Sequence, residues 1–322
     1  MGIPPDRIVF SGVGKRENEI RAAVEAGIRS LNVESLEELD EIADVGRALE
    51  RVVPVTIRLN PDIASGGHEY LSTGGAGSKF GLGRGEAAEA VRWAEAAGAL
   101  SPVGISFHVG SQLLNTKPLL EAADRAAELW RQLAAAGIPL RDFDVGGGLG
   151  LAYNDGPEPD VGDYIARLGG LARGLEATLL LEPGRHLVGP VGTFVTRVVH
   201  VKQAGAKTIV VCDGGSNDLL RPALYGAEHP ITVLADGERE RATVDLAGPL
   251  CESGDFLALN RSVPLPRRGD LIAVELAGAY GRVMSSTYNA RPLCAEVVVE
   301  QGSWRVSRER GTYDDLVRNE HT

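Results

Sequence analysis

Short β-rich runs alternate with helical periodicity through the first half of this chain. RIVF (7–10) precedes residues 17–27, where Ile20, Ala23, Val24 and Gly27 recur at helical spacing. SLNV (30–33) leads into a helix from about Leu36 to Leu49, and VPVTIRL (53–59) is a near-continuous apolar strand. An alanine-rich helix over 85–97, the strand PVGISFHV (102–109) and a helix over 118–136 closed by Gly137 follow. DFDVGG (142–147) and TLLLEP (178–183) are further strands, separated by a helix over 163–175. Strands alternating with helices predict a parallel sheet. Six strand–helix units are legible, and a closed (β/α)8 barrel needs two more.

The period changes near residue 190. FVTRVVHVK, TIVVCD, ITVLAD, ATVDLAGPL, DLIAVEL, AEVVVEQG and WRVSRE are short β runs punctuated by Gly, Pro and Asp. They predict an antiparallel barrel or sandwich. The expected organisation is therefore a partial (β/α) barrel domain over 1–190 and a C-terminal β domain over 191–322.

Composition narrows the function. The net charge of −11 argues against a nucleic-acid surface. No apolar run approaches the roughly 20 residues that span a membrane, and MGIPPDRIVF does not read as a signal peptide. Cys212, Cys251 and Cys294 lack metal-like spacing, so no metal is expected, and an odd number without CxxC fits a reducing cytoplasm. Cys212 and Cys294, set in apolar runs, read as small core residues.

The polar residues of the first domain gather at strand C-termini, the face that carries chemistry in βα barrels and doubly wound sheets alike. DVGGGLG (144–150) offers Gly146, Gly147 and Gly148 as backbone for a phosphate, or simply as a tight turn. EPGR sets Glu182 at a strand end with Pro183, Gly184 and Arg185 after it. A carboxylate there can hold a pyridine nitrogen protonated, or form a structural ion pair. In HVGS, His108 can stack on a ring and Ser111 can bond a phosphate, although a lone strand-end histidine is more often a satisfied core residue. CESGD (251–255) places the Cys251 thiol beside two carboxylates, where it can deliver a proton to a carbanion, or is simply a small buried apolar residue. NDLLRPALY carries Arg221 and Tyr225, and GAYGRV carries Tyr280; an arginine fork binds carboxylate bidentately, or covers a surface.

Taken in order, FSGVGK, SLNVES, RLNPD, STG…SKFGL, HVGSQL, DVGGGLG, EPGR, NDLLRPALY, GPLCESGD and GAYG…STYNARP resemble the pyridoxal-phosphate decarboxylases of the alanine racemase-like fold, most of all the diaminopimelate decarboxylases. The resemblance implies a TIM-like βα barrel followed by a β domain, and a head-to-tail homodimer with shared active sites. It implies pyridoxal 5′-phosphate held by Ser111, Gly146, Gly147, Gly148 and the Glu182–Arg185 backbone, with His108 on the ring and Glu182 at the pyridine nitrogen. Arg185, Arg221 and Tyr225 would grip the distal carboxylate of a diamino dicarboxylic acid, and Glu252 its distal ammonium. Tyr280 would touch cofactor and substrate, and Cys251, from the partner subunit, would be the proton donor. The implied reaction converts meso-diaminopimelate to L-lysine; glutamate after the cysteine favours that substrate over ornithine, and Glu182 speaks against a racemase.

The family forms its Schiff base through a lysine in a YAxKAN-like first strand. Lys15, Lys79, Lys117, Lys202 and Lys207 all lack that context. With six units counted, the expectation is an N-terminally incomplete chain, impaired on its own. A non-catalytic homologue or partner subunit, and a decarboxylase of ornithine, lysine or arginine, are the alternatives.

Overall fold

A strand buried on both faces shows no polar side to solvent, and Ser30–Val33 is such a strand: all four residues are buried. In the structure, a computed structural model describing residues 2–63, 77–153 and 156–321, the chain forms two compact units. The first comprises Met1–Leu151 and Pro157–Pro183, the second Ala152–Gly156 and Gly184–Thr322. The STG of STG…SKFGL (72–74) lies outside the described residues.

In the first unit, strands β1 (Val9–Phe10), β2 (Ser30–Val33), β3 (Val53–Arg58), β4 (Leu100–Ser106), β5 (Asp142–Asp144) and β6 (Thr178–Leu180) form one sheet in chain order. Every pairing is parallel. Helices α1 (Glu17–Ala26), α2 (Leu36–Ala48), α3 (Arg84–Ala96), α4 (Lys117–Ala135) and α5 (Val161–Gly174) occupy the connections. A doubly wound sheet reverses its strand order at a switch point; this one does not, so the units are those of an incomplete (β/α)8 barrel. The helix starts are locally encoded. Ser35 caps α2 by accepting from the Glu38 amide, and Asp160 caps α5 by accepting from that of Asp163. Ile57, Ile105 and Phe143 from the sheet, and Phe107 just past β4, pack with Leu119, Leu129 and Leu133 of α4 in one core.

The second unit opens with the short helix α6 (Gly184–Val188) and holds β7 (Phe194–Ala204), β8 (Lys207–Cys212), helix α7 (Arg221–Tyr225), β9 (Ile231–Leu234), β10 (Arg241–Ala247), β11 (Phe256–Pro264) and β12 (Leu271–Val274). These strands form a six-stranded sheet ordered β11-β10-β8-β7-β12-β9, and β13 (Glu296–Glu300) pairs with β14 (Ser303–Arg308) as a separate ribbon. The sheet is mixed rather than wholly antiparallel, because β8 and β10 run parallel. Cys212 ends β8 and is buried; Cys294 lies half-buried ahead of β13 rather than inside a strand.

Candidate active site

The strand ends of the first unit carry a linked set of polar side chains. Buried Asn32 of β2 donates to Ser11 Oγ (2.9 Å) and to Asp144 Oδ2 (3.2 Å), and Ser11 in turn donates to Glu182 Oε1 (3.3 Å). Asp144, the last residue of β5, accepts from the Gly146 amide (2.9 Å). Arg58, at the end of β3, pairs with Glu34 at 2.5 Å and lies over the Phe80 ring. Two buried oxygens here have no partner among the described residues, Asn32 Oδ1 and Ser106 Oγ.

Glu182 is exposed by area, yet desolvation of its carboxyl and then the neighbouring Asp144 carboxylate push its pKa up to about 7, against the opposing pull of Ser11 and Arg58. His108 accepts from the Gly147 amide through Nδ1 (3.1 Å). Burial, followed by the Arg58 charge, pushes its pKa down to about 4, so the imidazole is neutral near pH 7.

The glycine run has a packing reason. A Cβ on Gly146 would sit 2.2 Å from the Phe107 carbonyl oxygen, one on Gly147 2.4 Å from that of Glu182, and one on Gly148 2.6 Å from that of Gly110. Only backbone without side chains lets these strand ends approach so closely. With the Gly146 and Gly147 amides engaged, that of Gly148 has no acceptor among the described residues. Ser111 sits half-buried in the following turn, where Gln112 clasps the Leu151 backbone through both amide atoms.

EPGR is divided: Glu182 and half-buried Pro183 end the first unit, exposed Gly184 and buried Arg185 begin the second. In the second unit Arg185 donates to the Tyr153 hydroxyl (3.3 Å) and its guanidinium lies 4.9 Å from the Tyr280 ring centroid. Arg221, the first residue of α7 and 3% exposed, lies 4.8 Å over the other aromatic, Tyr153. Its Nη1 donates to His229 Nε2 (3.0 Å), and its Nε is buried without a partner. Among the described residues no carboxylate comes within ion-pair distance of Arg221. Tyr225 closes α7, four residues on and half-buried. Tyr280 holds a left-handed backbone, φ 66°, a strained conformation for a tyrosine.

Cys251 and Glu252 are both exposed. Their loop is held by Asp255, which is 3% exposed and accepts from the Ser216 amide (2.6 Å) through one oxygen and from the Leu250 amide (2.7 Å) through the other. Of the two carboxylates in CESGD, Asp255 is thus an anchor and Glu252 the one presented.

Sequence reasoning had not singled out Asn32, Ser11, Asp144, Tyr153 or His229. A polar residue inside the all-buried run SLNV was a readable signal for Asn32. Tyr153 and His229 had none, since Tyr153 meets Arg185 across 32 residues of sequence. Among the described residues there is no cluster of three His, Cys, Asp or Glu suited to a metal, and no helix long and apolar enough to cross a membrane.

The family described as pyridoxal-dependent decarboxylase, pyridoxal binding domain, matches residues 1–189. A diaminopimelate decarboxylase of Helicobacter pylori is 43% identical over 320 residues, covering 99% of this chain and 79% of that protein. One from Aquifex aeolicus is 42% identical over 317 residues, covering 98% of this chain and 76% of that protein. The crystal structure of the Helicobacter pylori diaminopimelate decarboxylase complexed with L-lysine matches with a TM-score of 0.95 at 42% identity, over 99% of this chain and 80% of that one.

Proposed function

Because the chain belongs to the diaminopimelate decarboxylases, which are pyridoxal phosphate-dependent carboxy-lyases, we propose that its reaction is the decarboxylation of meso-diaminopimelate to L-lysine. The observation that carries this reading is Arg221, a buried guanidinium with no carboxylate partner among the described residues and an unpartnered Nε. A buried charge left unpaired is costly, and a ligand carboxylate relieves that cost. meso-Diaminopimelate keeps a carboxylate and an ammonium at the end that does not react. Arg221, with Arg185 and Tyr225, takes the former, and Glu252 the latter.

The first unit fits the cofactor. Unpartnered Asn32 Oδ1 and Ser106 Oγ and the Gly148 amide are polar groups awaiting a polar ligand. Bound, pyridoxal phosphate supplies an electron sink for the pair released as carbon dioxide leaves. Ser111, the Gly148 amide, Gly146, Gly147 and the backbone of Pro183, Gly184 and Arg185 would hold its phosphate. Neutral His108 would lie against its ring. Glu182, whose raised pKa lets it share a proton near neutral pH, would pair with its pyridine nitrogen. Tyr280 would contact cofactor and substrate. Cys251 Sγ holds the proton delivered to the carbon that has lost its carboxylate. The exposure of Cys251 and Glu252 on an anchored loop supports their acting in a second copy of the chain, and hence a homodimer.

We infer as well that this 322-residue polypeptide turns over poorly by itself. Five lysines are present, none in a YAxKAN context. The Lys15 ammonium is already committed to Glu38 (2.6 Å) and to the carbonyls of Gly12 and Asn32. The test is carbon dioxide release from meso-diaminopimelate by this polypeptide, and by a chimera joining the lysine-bearing first strand–helix units of the Helicobacter pylori relative ahead of it. The reading expects release from the chimera and little from the polypeptide; no release from a folded, cofactor-loaded chimera contradicts the proposed reaction.

A further inference from the structure

The second unit holds a buried histidine to which neither the sequence nor the comparisons give a role. We infer that His229 is a positioning residue that fixes the Arg221 guanidinium for a ligand carboxylate, acting through a neutral imidazole locked in one tautomer. This deepens the reading of Arg221 given above and rests on it.

Both partners of the ring demand the same assignment. His229 Nδ1 lies 2.9 Å from the Glu275 carbonyl oxygen, which can only accept, so Nδ1 carries the proton. Nε2 lies 3.0 Å from Arg221 Nη1, which can only donate, so Nε2 is the acceptor. An imidazolium would turn an N–H toward a cation. Burial, and the charges of Arg221, Arg185 and Arg261 beyond it, keep the ring neutral, against a pull from the Glu275 carbonyl. The ring itself is fixed: His229 is 1% exposed and stands edge-on to Tyr153, centroids 4.9 Å apart at 76°.

Arg221 is thereby held in two directions. Tyr153 lies under the guanidinium plane, and His229 fixes the rotation within that plane by taking Nη1. What remains is the Nε edge, buried and without an acceptor among the described residues. An arginine fork whose orientation is set before binding loses less conformational freedom when a carboxylate arrives. A guanidinium without the Nε2 acceptor could spend its donors elsewhere and present no fixed edge. The recognised class is a carboxylate-bearing amino acid, and the discrimination is against its decarboxylated counterpart.

The test uses the full chain, without added pyridoxal phosphate, titrated with L-lysine and with cadaverine, which lacks the carboxylate. Side-chain 15N spectra should show His229 protonated at Nδ1 only, and the Arg221 Nε–H signal should shift with L-lysine but not with cadaverine. His229→Phe, which keeps a ring and removes the acceptor, should weaken L-lysine by about tenfold and leave cadaverine unchanged. His229→Gln, which restores an acceptor, should recover most of the affinity. Wild-type affinity in a folded His229→Phe variant, or an Nε2-protonated ring in the wild type, overturns the inference. If His229→Phe does not fold, the wild-type spectra decide alone. Should Arg221→Met also bind L-lysine normally, the carboxylate reading itself falls; a weakened Arg221→Met beside a normal His229→Phe overturns only the role of His229.

Discussion

Arg221 and His229 show how burial sets the chemistry of single residues. A guanidinium at 3% exposure with one edge unpartnered is poised for an anion, and its truncation removes a charge-assisted fork. Arg221→Met is expected to cost about 2–3 kcal/mol of carboxylate binding, roughly 30- to 150-fold in KM, with a smaller change in kcat, read from steady-state kinetics of the lysine-bearing chimera. His229 predicts a pH dependence of stability. Its folded pKa, about 4, lies below the ordinary 6.5, so its contribution is complete above 6.5 and is lost as pH falls through 4. That loss is roughly 3 kcal/mol at full protonation. Denaturant titrations between pH 7 and pH 4 should show a shallower acid limb for His229→Phe than for the wild type; parallel limbs would refute a depressed His229. Glu182 acts with the opposite sign. Its folded pKa is raised, so its favourable share is present below about 4.5 and is lost as pH rises through about 7. Without cofactor, Glu182→Gln should abolish that loss of stability between pH 5 and pH 7.5.

At the scale of elements, the alternation of short β-rich runs with helical periodicity was enough to find all six parallel strands, even where a run is as polar as the Asp-Phe-Asp of β5. Strand β11 was not found. Its apolar start, Phe256–Ala258, is interrupted by Asn260, Arg261 and Ser262, where the register with β10 slips and Asn260 turns to φ 52°. The slip is held by Asp245 accepting from the Asn260 amide, a contact between residues 15 apart that no local pattern reveals. The parallel pairing of β8 with β10 was hidden for the same reason, because it depends on which strands meet. The candidate site is written in the sequence as motifs, in DVGGGLG, EPGR and CESGD, but its distant partners Tyr153 and His229 leave no local signal. Element-level packing yields two predictions. Gly147→Ala, whose Cβ would meet the Glu182 carbonyl oxygen at 2.4 Å, should destabilise the chain by about 1–3 kcal/mol in denaturant titrations. Asp255→Ala, which strands the Ser216 and Leu250 amides, should cost about 2–4 kcal/mol and loosen the loop carrying Cys251, seen as faster hydrogen exchange over 250–256.

For the whole molecule, family membership and the local chemistry point to one reaction from independent directions. The match to known decarboxylases covers nearly all of this chain and about four-fifths of the Helicobacter pylori protein. Independently, buried Arg221 has no carboxylate partner among the described residues, and neither Asn32 Oδ1 nor Ser106 Oγ of the first unit has a hydrogen-bond partner among them. If Cys251 and Glu252 serve a second copy, a Cys251→Ala variant and an Arg221→Met variant of the chimera, each impaired alone when assayed at substrate well below KM, should regain activity when mixed and allowed to exchange subunits. No regain after demonstrated exchange would place both residues in their own chain's site. The most direct test of the central claim is substrate-resolved carbon dioxide release from the cofactor-loaded chimera, with meso-diaminopimelate, ornithine and L-lysine compared at equal concentration. A site that pairs Arg221 with a distal carboxylate predicts kcat/KM for meso-diaminopimelate at least about a hundredfold above that for either of the others. Equal rates, or a preference for ornithine or L-lysine, would contradict it.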